Sequence, residues 1–142
     1  MNTERFSTRL QGKAFVLSKA VAEILRQKAQ GDFDAAVVLA NAEPAMNDEI
    51  VGLHLQQAVE KASKALLSRK NIKYPFAHDI DTLLQMLTAA GCPVPGQFSD
   101  LDTLTLFATQ ARYERVVPPG SFDRAAFIDL ARDFLAWTDS SR

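Results

Sequence analysis

The residues of this chain that could carry out chemistry are few and widely separated. His54 and His78 are the only histidines, and Cys92 is the only cysteine. The sequence contains no HExxH, CxxC or Glu-x-x-His motif, the patterns that bring metal ligands together on one element. It also lacks a Walker loop and a GxGxxG loop, which bind phosphate groups through backbone amides. We therefore predict no metal site and no cofactor.

A short basic segment offers a different chemistry, the binding of phosphate. Residues 61–73 contain no acid, and their basic residues are Lys61, Lys64, Arg69, Lys70 and Lys73. The preceding residues 31–60 contain six acids and no lysine or arginine. The net charge is only −1, so no global positive field attracts nucleic acid. The alternative, which we favour, is a solvated helix end whose cations complement the helix dipole.

Length and composition indicate one globular domain. The chain has 142 residues, of which 47% are hydrophobic and 23% are charged. A single cysteine excludes an intramolecular disulfide bond. No apolar run approaches the roughly 20 residues of a membrane-spanning helix, and the N-terminus lacks the apolar centre of a signal peptide. We predict a soluble, cytoplasmic protein.

The apolar residues recur at helical intervals, and no stretch alternates with period two as a strand would. We predict a first helix from residue 5 through Gly31 to about Glu43, and a second helix that Asn47 caps. A third helix starts near His78, and Ser99 and Ser121 are expected to cap the fourth and the last. The predicted fold is all-α. It is an antiparallel, up-and-down four-helix bundle over residues 25–142, with an additional C-terminal helix packed across it and an N-terminal helical extension, residues 1–24.

The second helix has two faces with different expected roles. Its core stripe consists of Val51, Leu55, Ala58, Val59, Ala62, Ala65 and Leu66. His54 lies at the edge of this stripe and is expected to be packed and hydrogen-bonded. The opposite line, which we expect to face outward, consists of Leu53, Gln57, Glu60, Lys64 and Leu67. Leu53 and Leu67 are therefore candidates for a homodimer interface, although exposed leucines are also ordinary.

Four segments together resemble the HEPN family, the "higher eukaryotes and prokaryotes nucleotide-binding" helical domains. The first helix carries the similar residues Ala29, Asp32, Phe33, Ala35, Ala36 and Leu39. The second carries Gln56, Gln57, Ala58, Glu60, Lys61, Lys64, Ala65, Leu66 and Leu67. The third carries His78, Asp79, Ile80, Leu83 and Leu84, and the fourth ends in Arg112 and Tyr113. The resemblance implies a helical domain that commonly forms dimers and that often accompanies a small nucleotidyltransferase.

The resemblance also raises the possibility of ribonuclease activity, which this sequence does not support. Nuclease members carry an arginine followed several residues later by a histidine. Here no histidine follows Arg112 anywhere in the chain, and the gap from Arg69 to His78 is too long and contains a proline. We therefore predict a non-catalytic HEPN-like protein. It is expected to bind nucleotide, RNA or a partner nucleotidyltransferase, in a context similar to that of toxin–antitoxin pairs.

The candidate ligand-binding residues are Lys61, Lys64, His78, Asp79, Arg112 and Tyr113. The last four could form a polar cluster that holds a phosphate or nucleotide. Alternatively, Asp79 lies at a helix N-terminus and pairs with Arg112, while His78 bonds backbone. Two rival functions remain: a ribonuclease that uses Arg112 with Tyr113, and a module that binds only protein. The predicted partners are a second copy of the chain, a nucleotidyltransferase, and nucleotide or RNA, with no membrane involved.

Overall fold

The protein was analysed as a computed structural model. It describes residues 3–75, 79–109, 118 and 120–141, with side chains from Lys19 onward. The helices are α1 (Thr3–Ala40), α2 (Asp48–Arg69), α3 (Ile80–Ala89), a 3₁₀ helix (Gly96–Leu104), α4 (Thr105–Ala108) and α5 (Arg124–Ser140). The described residues contain no strand, which confirms the predicted all-α class. Within the same residues, no helix is long and apolar enough to cross a membrane.

The hairpin of α1 and α2 follows the sequence signals closely. Helix α1 continues through Gly31, as predicted, and ends at Ala40, three residues before the expected end. The amide of Met46 donates to the carbonyl of Leu39 and closes the connecting loop. Asn47 then caps α2, because its side chain accepts the amide of Ile50 at 3.0 Å. Short connections of this kind place consecutive helices antiparallel to each other.

Helix α5 lies alongside the hairpin, and the prediction that it packs across the bundle is wrong. At its start, Arg124 binds Asp48 at the start of α2, with an N–O distance of 2.6 Å. At the other end, Arg69 donates to the carbonyl oxygen of Thr138 at 3.4 Å. Because the start of α5 lies at the start of α2 and the end of α5 lies at the end of α2, the two helices run parallel. Helix α5 is antiparallel to α1, where Arg26 lies 3.8 Å from Asp139.

Helix α2 is the centre of the molecule. It contacts α1, α3, α4, α5 and the 3₁₀ helix. The predicted outward line is therefore wrong for Glu60, Lys64 and Leu67, which are all buried, while Leu53 and Gln57 are half-buried. Leu67 is 0% exposed and belongs to the core, so it is not available to a second chain.

The segment after α3 differs from the prediction in its helix type. A 3₁₀ helix begins at Gly96, and Ser99 lies within it instead of capping an α-helix. Four apolar residues recur every three positions, and all four are buried: Phe98, Leu101, Leu104 and Phe107. A 3₁₀ helix has three residues per turn, so this spacing places Phe98, Leu101 and Leu104 on one face, and Phe107 follows in α4.

The aromatic residues of α5 belong to the core, as predicted. Phe134 is 0% exposed and meets the ring of Phe98 edge-on, with 5.2 Å between the ring centres. The expected cap of this helix is wrong. Asp123 accepts the amide of Ala126 at 3.1 Å, whereas the hydroxyl of Ser121 donates to the carbonyl of Pro118. Asp123 is in the better position, since a cap accepts from the amide two or three residues further on.

Candidate functional site

A row of polar side chains runs through the buried part of α2. The side-chain amide of Gln57 donates to the side-chain oxygen of Gln56 at 2.7 Å. The side-chain amide of Gln56 donates to the carboxylate of Glu60 at 3.3 Å. Glu60 in turn lies 3.8 Å from the ammonium group of Lys64. Gln56, Glu60 and Lys64 are each less than one-tenth exposed. Buried polar groups need such partners, because an unpaired one costs several times the value of an ordinary hydrogen bond.

Lys64 is enclosed by its own chain on two sides. Its ammonium group faces Glu60 and lies 5.5 Å from the ring centre of Tyr74, in the geometry of a cation–π contact. The hydroxyl of Ser68 donates a hydrogen bond to the hydroxyl of Tyr74 at 3.4 Å, which helps to hold the ring in place. The chain after α2 therefore folds back over the end of the polar row.

Lys61, one turn earlier, is also paired within the chain. Its ammonium group binds the carboxylate of Asp32, which α1 supplies from 29 residues away. His54 belongs to the same cluster, with its Nδ1 atom 3.5 Å from the other oxygen of Asp32. That nitrogen is buried and has no hydrogen bond within the described residues, so the predicted hydrogen bond is wrong for this atom. The cluster joins α1 to α2 at a partly exposed position.

The N-terminus of α3 is filled by groups of the same chain. Asp79 caps the helix: its carboxylate accepts the amide of Asp81 at 3.0 Å and the hydroxyl of Thr82 at 2.8 Å. A second carboxylate, that of Asp102, accepts the same amide and the hydroxyl of Thr105. Thr105 also accepts the amide of Ile80. The prediction that Asp79 lies at a helix N-terminus is thus confirmed.

These bonds change the acidity of Asp79. The hydroxyl of Thr82 is the main cause of a lowered pKa, because it stabilises the ionised carboxylate. Burial acts in the opposite direction, while hydrogen bonds from the amides of Asp81 and Thr82 lower the pKa further. The group is therefore held as an anion at neutral pH.

The predicted ligand-binding residues are only partly located. Lys61 and Lys64 lie on α2, and Asp79 lies at the start of α3. His78, Arg112 and Tyr113 are outside the described residues, so the polar cluster of these three with Asp79 stays a prediction.

Two features were not foreseen as parts of a site. Asp32 neutralises Lys61, although the sequence showed it only as a member of the family pattern. A groove of about 400 Å³ lies between α3 and the 3₁₀ helix, with Asp81, Gln85 and Ser99 as polar residues along a wall that includes Leu84 and Val94. No motif marks such a groove, because it depends on how two elements pack.

Comparison with known proteins identifies the family. The sequence matches the family model described as "HEPN domain" over residues 22–141. The chain belongs to the HEPN domain family. The match begins within α1 and includes α2 to α5 of this HEPN domain. No curated protein and no solved structure matches the chain.

Proposed function

We propose that this HEPN domain is non-catalytic and acts by binding a partner protein of the nucleotidyltransferase type. The proposed setting is the cytoplasm, in a pairing similar to that of a toxin and its antitoxin. The observation that carries the proposal is that the chain pairs its own candidate phosphate-binding groups. The lysines of α2 face carboxylates, and the N-terminus of α3 holds two carboxylates.

The lysines of α2 are poorly placed for phosphate. Lys64 is only 9% exposed, and a ligand would have to separate it from Glu60 inside the protein. Removing one partner of a buried ion pair costs about 3–5 kcal/mol, which a ligand would have to offset. Lys61 is more accessible, but its charge is balanced by Asp32. Neither residue therefore offers an uncompensated cation to an anionic ligand.

The N-terminus of α3 is equally unsuited to phosphate. Helix N-termini bind anions through amides that have no partner within the helix. In this helix the amides of Ile80 and Asp81 already donate to side chains of the chain itself. The carboxylates of Asp79 and Asp102 would also repel a phosphate group. Both halves of the described ligand site thus favour a protein partner over a nucleotide.

Catalysis has little support in the residues. A ribonuclease needs a group that transfers a proton near the attacked phosphate, and histidine is the usual choice. No histidine follows Arg112, and His54 lies beside Asp32 and Lys61 at the junction of α1 and α2. An enzyme that used Arg112 with Tyr113 would need a general base that neither side chain readily supplies at neutral pH.

The binding experiment uses the purified full chain. It is titrated by calorimetry with each small nucleotidyltransferase that its own genome encodes, and a saturable heat of binding with one of them is expected. In parallel, its melting temperature is measured with nucleoside triphosphates and with short RNA. Binding to the native state would raise the melting temperature, and no rise is expected. Binding of nucleotide or RNA without any heat from the nucleotidyltransferase would reverse the proposal.

A second experiment addresses the enzyme. The chain is incubated with labelled RNA, alone and with the nucleotidyltransferase, and no cleavage is expected. Cleavage that disappears in Arg112→Ala would establish a ribonuclease with atypical residues. A binding partner that is not a nucleotidyltransferase, together with no response to nucleotide or RNA, would favour the rival function of a general interaction module.

A further inference from the structure

The groove between α3 and the 3₁₀ helix is large enough for a ligand. It has a volume of about 400 Å³ and is open to solvent. Ligand sites in proteins have volumes of about 300–1,000 Å³. The wall on α3 is formed by residues that share one side of that helix: Asp81, Leu84, Gln85 and Thr88. We call this space the α3 groove.

Most of the surface that lines the α3 groove is apolar. Leu84, Ala89, Val94 and Pro95 supply its aliphatic groups. Leu84 belongs to the hydrophobic core, and Val94 packs against that core. The groove is therefore a place where the core reaches the surface. Apolar side chains that enter it would be removed from water, which favours their binding.

One end of the α3 groove is acidic. A 3₁₀ helix has three residues per turn, so Ser99 in the wall and Asp102 lie on the same side of it. The carboxylate of Asp102 accepts the backbone amide of Asp81 at 3.0 Å, which brings these two residues together at the start of α3. Asp81 is exposed, and its own carboxylate accepts the side-chain amide of Gln85 at 2.7 Å. Two carboxylates thus lie where the groove ends.

The charges around the α3 groove all have the same sign. Residues 79–109 contain no lysine, arginine or histidine, and their four acids are Asp79, Asp81, Asp100 and Asp102. Within the described part of the chain, none of these carboxylates forms an ion pair. The lysines of α2 differ, because carboxylates of the same chain balance their charge. The acidic end of the groove is therefore complementary to a cationic group of another molecule.

We propose that the α3 groove binds a segment of a partner protein that carries two apolar side chains about one helical turn apart, with a lysine or arginine beside them. The apolar side chains pack along Leu84 and Val94, and the cation meets the carboxylate of Asp81. From Asp81 to Thr88 the wall extends over two turns of α3, or about 10 Å, which is enough for two such side chains. Amphipathic segments bind grooves in this way, through apolar residues three or four positions apart.

The open shape of the groove favours a protein segment over a small molecule. Small-molecule sites enclose most of the surface of their ligand, whereas this groove leaves one side of its occupant in solvent. The inference rests on the proposed function in one respect, namely that the ligand is a protein. It adds the surface of the chain that makes the contact and the chemistry of the segment that is bound.

Selection of peptides tests the proposal. Random peptides displayed on phage are selected on the immobilised full chain, and the enriched peptides are synthesised with a fluorescent label. Their affinity for the chain in solution is measured by fluorescence anisotropy. We expect them to share two apolar residues three or four positions apart, with lysine or arginine beside them. No enriched peptide, together with a melting temperature raised by spermidine, would assign the groove to a small organic cation and overturn the proposal.

One substitution made at two threonines shows whether the peptides occupy the groove. Thr88→Arg should weaken binding at least about tenfold, because it places a long cationic side chain in the groove. Thr103→Arg is the matched control. Thr103 is an exposed residue of the 3₁₀ helix and does not line the groove, so peptide affinity should not change. Circular dichroism establishes that both variants are folded. Equal affinities of the wild type and Thr88→Arg would overturn the proposal.

A second pair of variants tests the acidic end. Asp81→Asn should weaken peptide binding about fivefold, because it removes the charge that meets the cation. The asparagine oxygen can still accept the amide of Gln85. Asp100→Asn removes the same charge from an exposed position outside the groove and should change the affinity by less than about twofold. Equal effects of the two substitutions would contradict the assignment of the cation to Asp81.

The threonine variants also separate this inference from the proposed function. In the calorimetric titration with nucleotidyltransferases, the heat of binding should disappear in Thr88→Arg and persist in Thr103→Arg. Heat that persists in Thr88→Arg would overturn the role of the groove and leave the nucleotidyltransferase as the partner. Peptide binding that depends on the groove, without heat from any nucleotidyltransferase, would support the groove and overturn that choice of partner.

Discussion

Helices α1 and α2 have similar alternations of apolar and polar residues, but the fold treats them differently. In α1, the side opposite the core is exposed, with Ile24 and Val38 more than half accessible. In α2, the side opposite the first apolar stripe is buried as well, including the charged Glu60 and Lys64. The two helices differ in their neighbours, since α2 contacts α1, α3, α4, α5 and the 3₁₀ helix, whereas α1 packs mainly on α2 and α5.

The comparison shows how a polar residue changes its role with its position in the fold. On α1, Lys28 and Asp34 are exposed to solvent. On the central helix, Lys61 and Lys64 have carboxylates of the same chain as partners and contribute to folding. A lysine in a family signature is therefore not a binding residue by itself. Its burial and its partners decide whether a ligand can use its charge.

The largest expected difference in stability is between a buried apolar residue of α2 and an exposed one of α1 when each is replaced by glutamate. Leu67→Glu should unfold the protein, because it places a carboxylate without a cation in a fully buried position. The cost of several kcal/mol is comparable with the total stability of a small domain, about 5–15 kcal/mol. Ile24→Glu, at a position of α1 that is 52% exposed, should keep the helical signal. Circular dichroism during heating measures both. A folded Leu67→Glu variant would place this leucine at the surface after all.

A smaller difference in stability is expected between a lysine of α2 and a lysine of α1 when each is replaced by alanine. Lys64→Ala should lower the free energy of unfolding by about 3 kcal/mol, because Glu60 stays buried with one cation fewer. Lys28→Ala, an exposed position of α1, should change it by less than about 0.5 kcal/mol. Urea titration determines both values. If Lys64→Ala were as mild as Lys28→Ala, Lys64 would be solvated, and phosphate binding by α2 would regain support.

Gly52 of α2 and Gly31 of α1 should respond to alanine in opposite directions. A Cβ atom on Gly52 would lie 2.6 Å from the ring of Phe107, so Gly52→Ala should destabilise the protein by about 1–3 kcal/mol. A Cβ atom on Gly31 would meet no described atom within 4 Å, so Gly31→Ala should stabilise the protein by up to about 1 kcal/mol through its higher helix propensity. Urea titration measures both changes. A destabilised Gly31→Ala variant would show that another part of the molecule excludes a side chain at this position.

The sequence predicted the local features of the fold well. The cap at Asn47 and the core position of Phe134 depend on neighbours within a few residues or on one regular stripe. The continuous helix through Gly31, where a glycine could also have ended it, was predicted from the family resemblance. The 3₁₀ helix was missed, although its signal was present. Phe98, Leu101, Leu104 and Phe107 recur with period three, but only part of this set was compared with the α-helical spacing.

The site was much harder to predict than the fold. Lys61 meets Asp32 across 29 residues, and Arg124 meets Asp48 across 76, so no spacing rule could have paired them. The sequence assigned Glu60 and Lys64 to one helix face and indicated a contact between them. It could not indicate that a second layer of helices buries that face, because burial depends on the packing of distant elements. Sequence patterns therefore identified the charged residues, but they did not show which of them could bind a ligand and which are paired within the fold.

The smallest expected effect concerns the carboxylate at the start of α3, compared with an exposed carboxylate of α1. Asp79→Ala should lower the free energy of unfolding by about 1 kcal/mol at pH 7, the usual value of an N-cap. Asp34→Ala, at an exposed position of α1, should change it by less than about 0.5 kcal/mol. Chemical denaturation at pH 7 compares the two.

The pH dependence of this effect shows whether the ionised carboxylate of Asp79 is what stabilises α3. The pKa of Asp79 is lower in the folded protein than its ordinary value of 3.8, so its contribution is fully present above about pH 4. That contribution is lost as the pH falls through the lower pKa of the folded state. The difference between wild type and Asp79→Ala should therefore be constant from pH 5 to 7 and shrink as the pH falls below about 4. If it grew toward acid pH, the carboxylate would be more stable protonated in the folded protein. The pair of hydrogen bonds from Thr82 and the Asp81 amide could then not be what holds α3 at its start, because together they use both oxygens of the carboxylate, and protonation converts one of these oxygens into a donor.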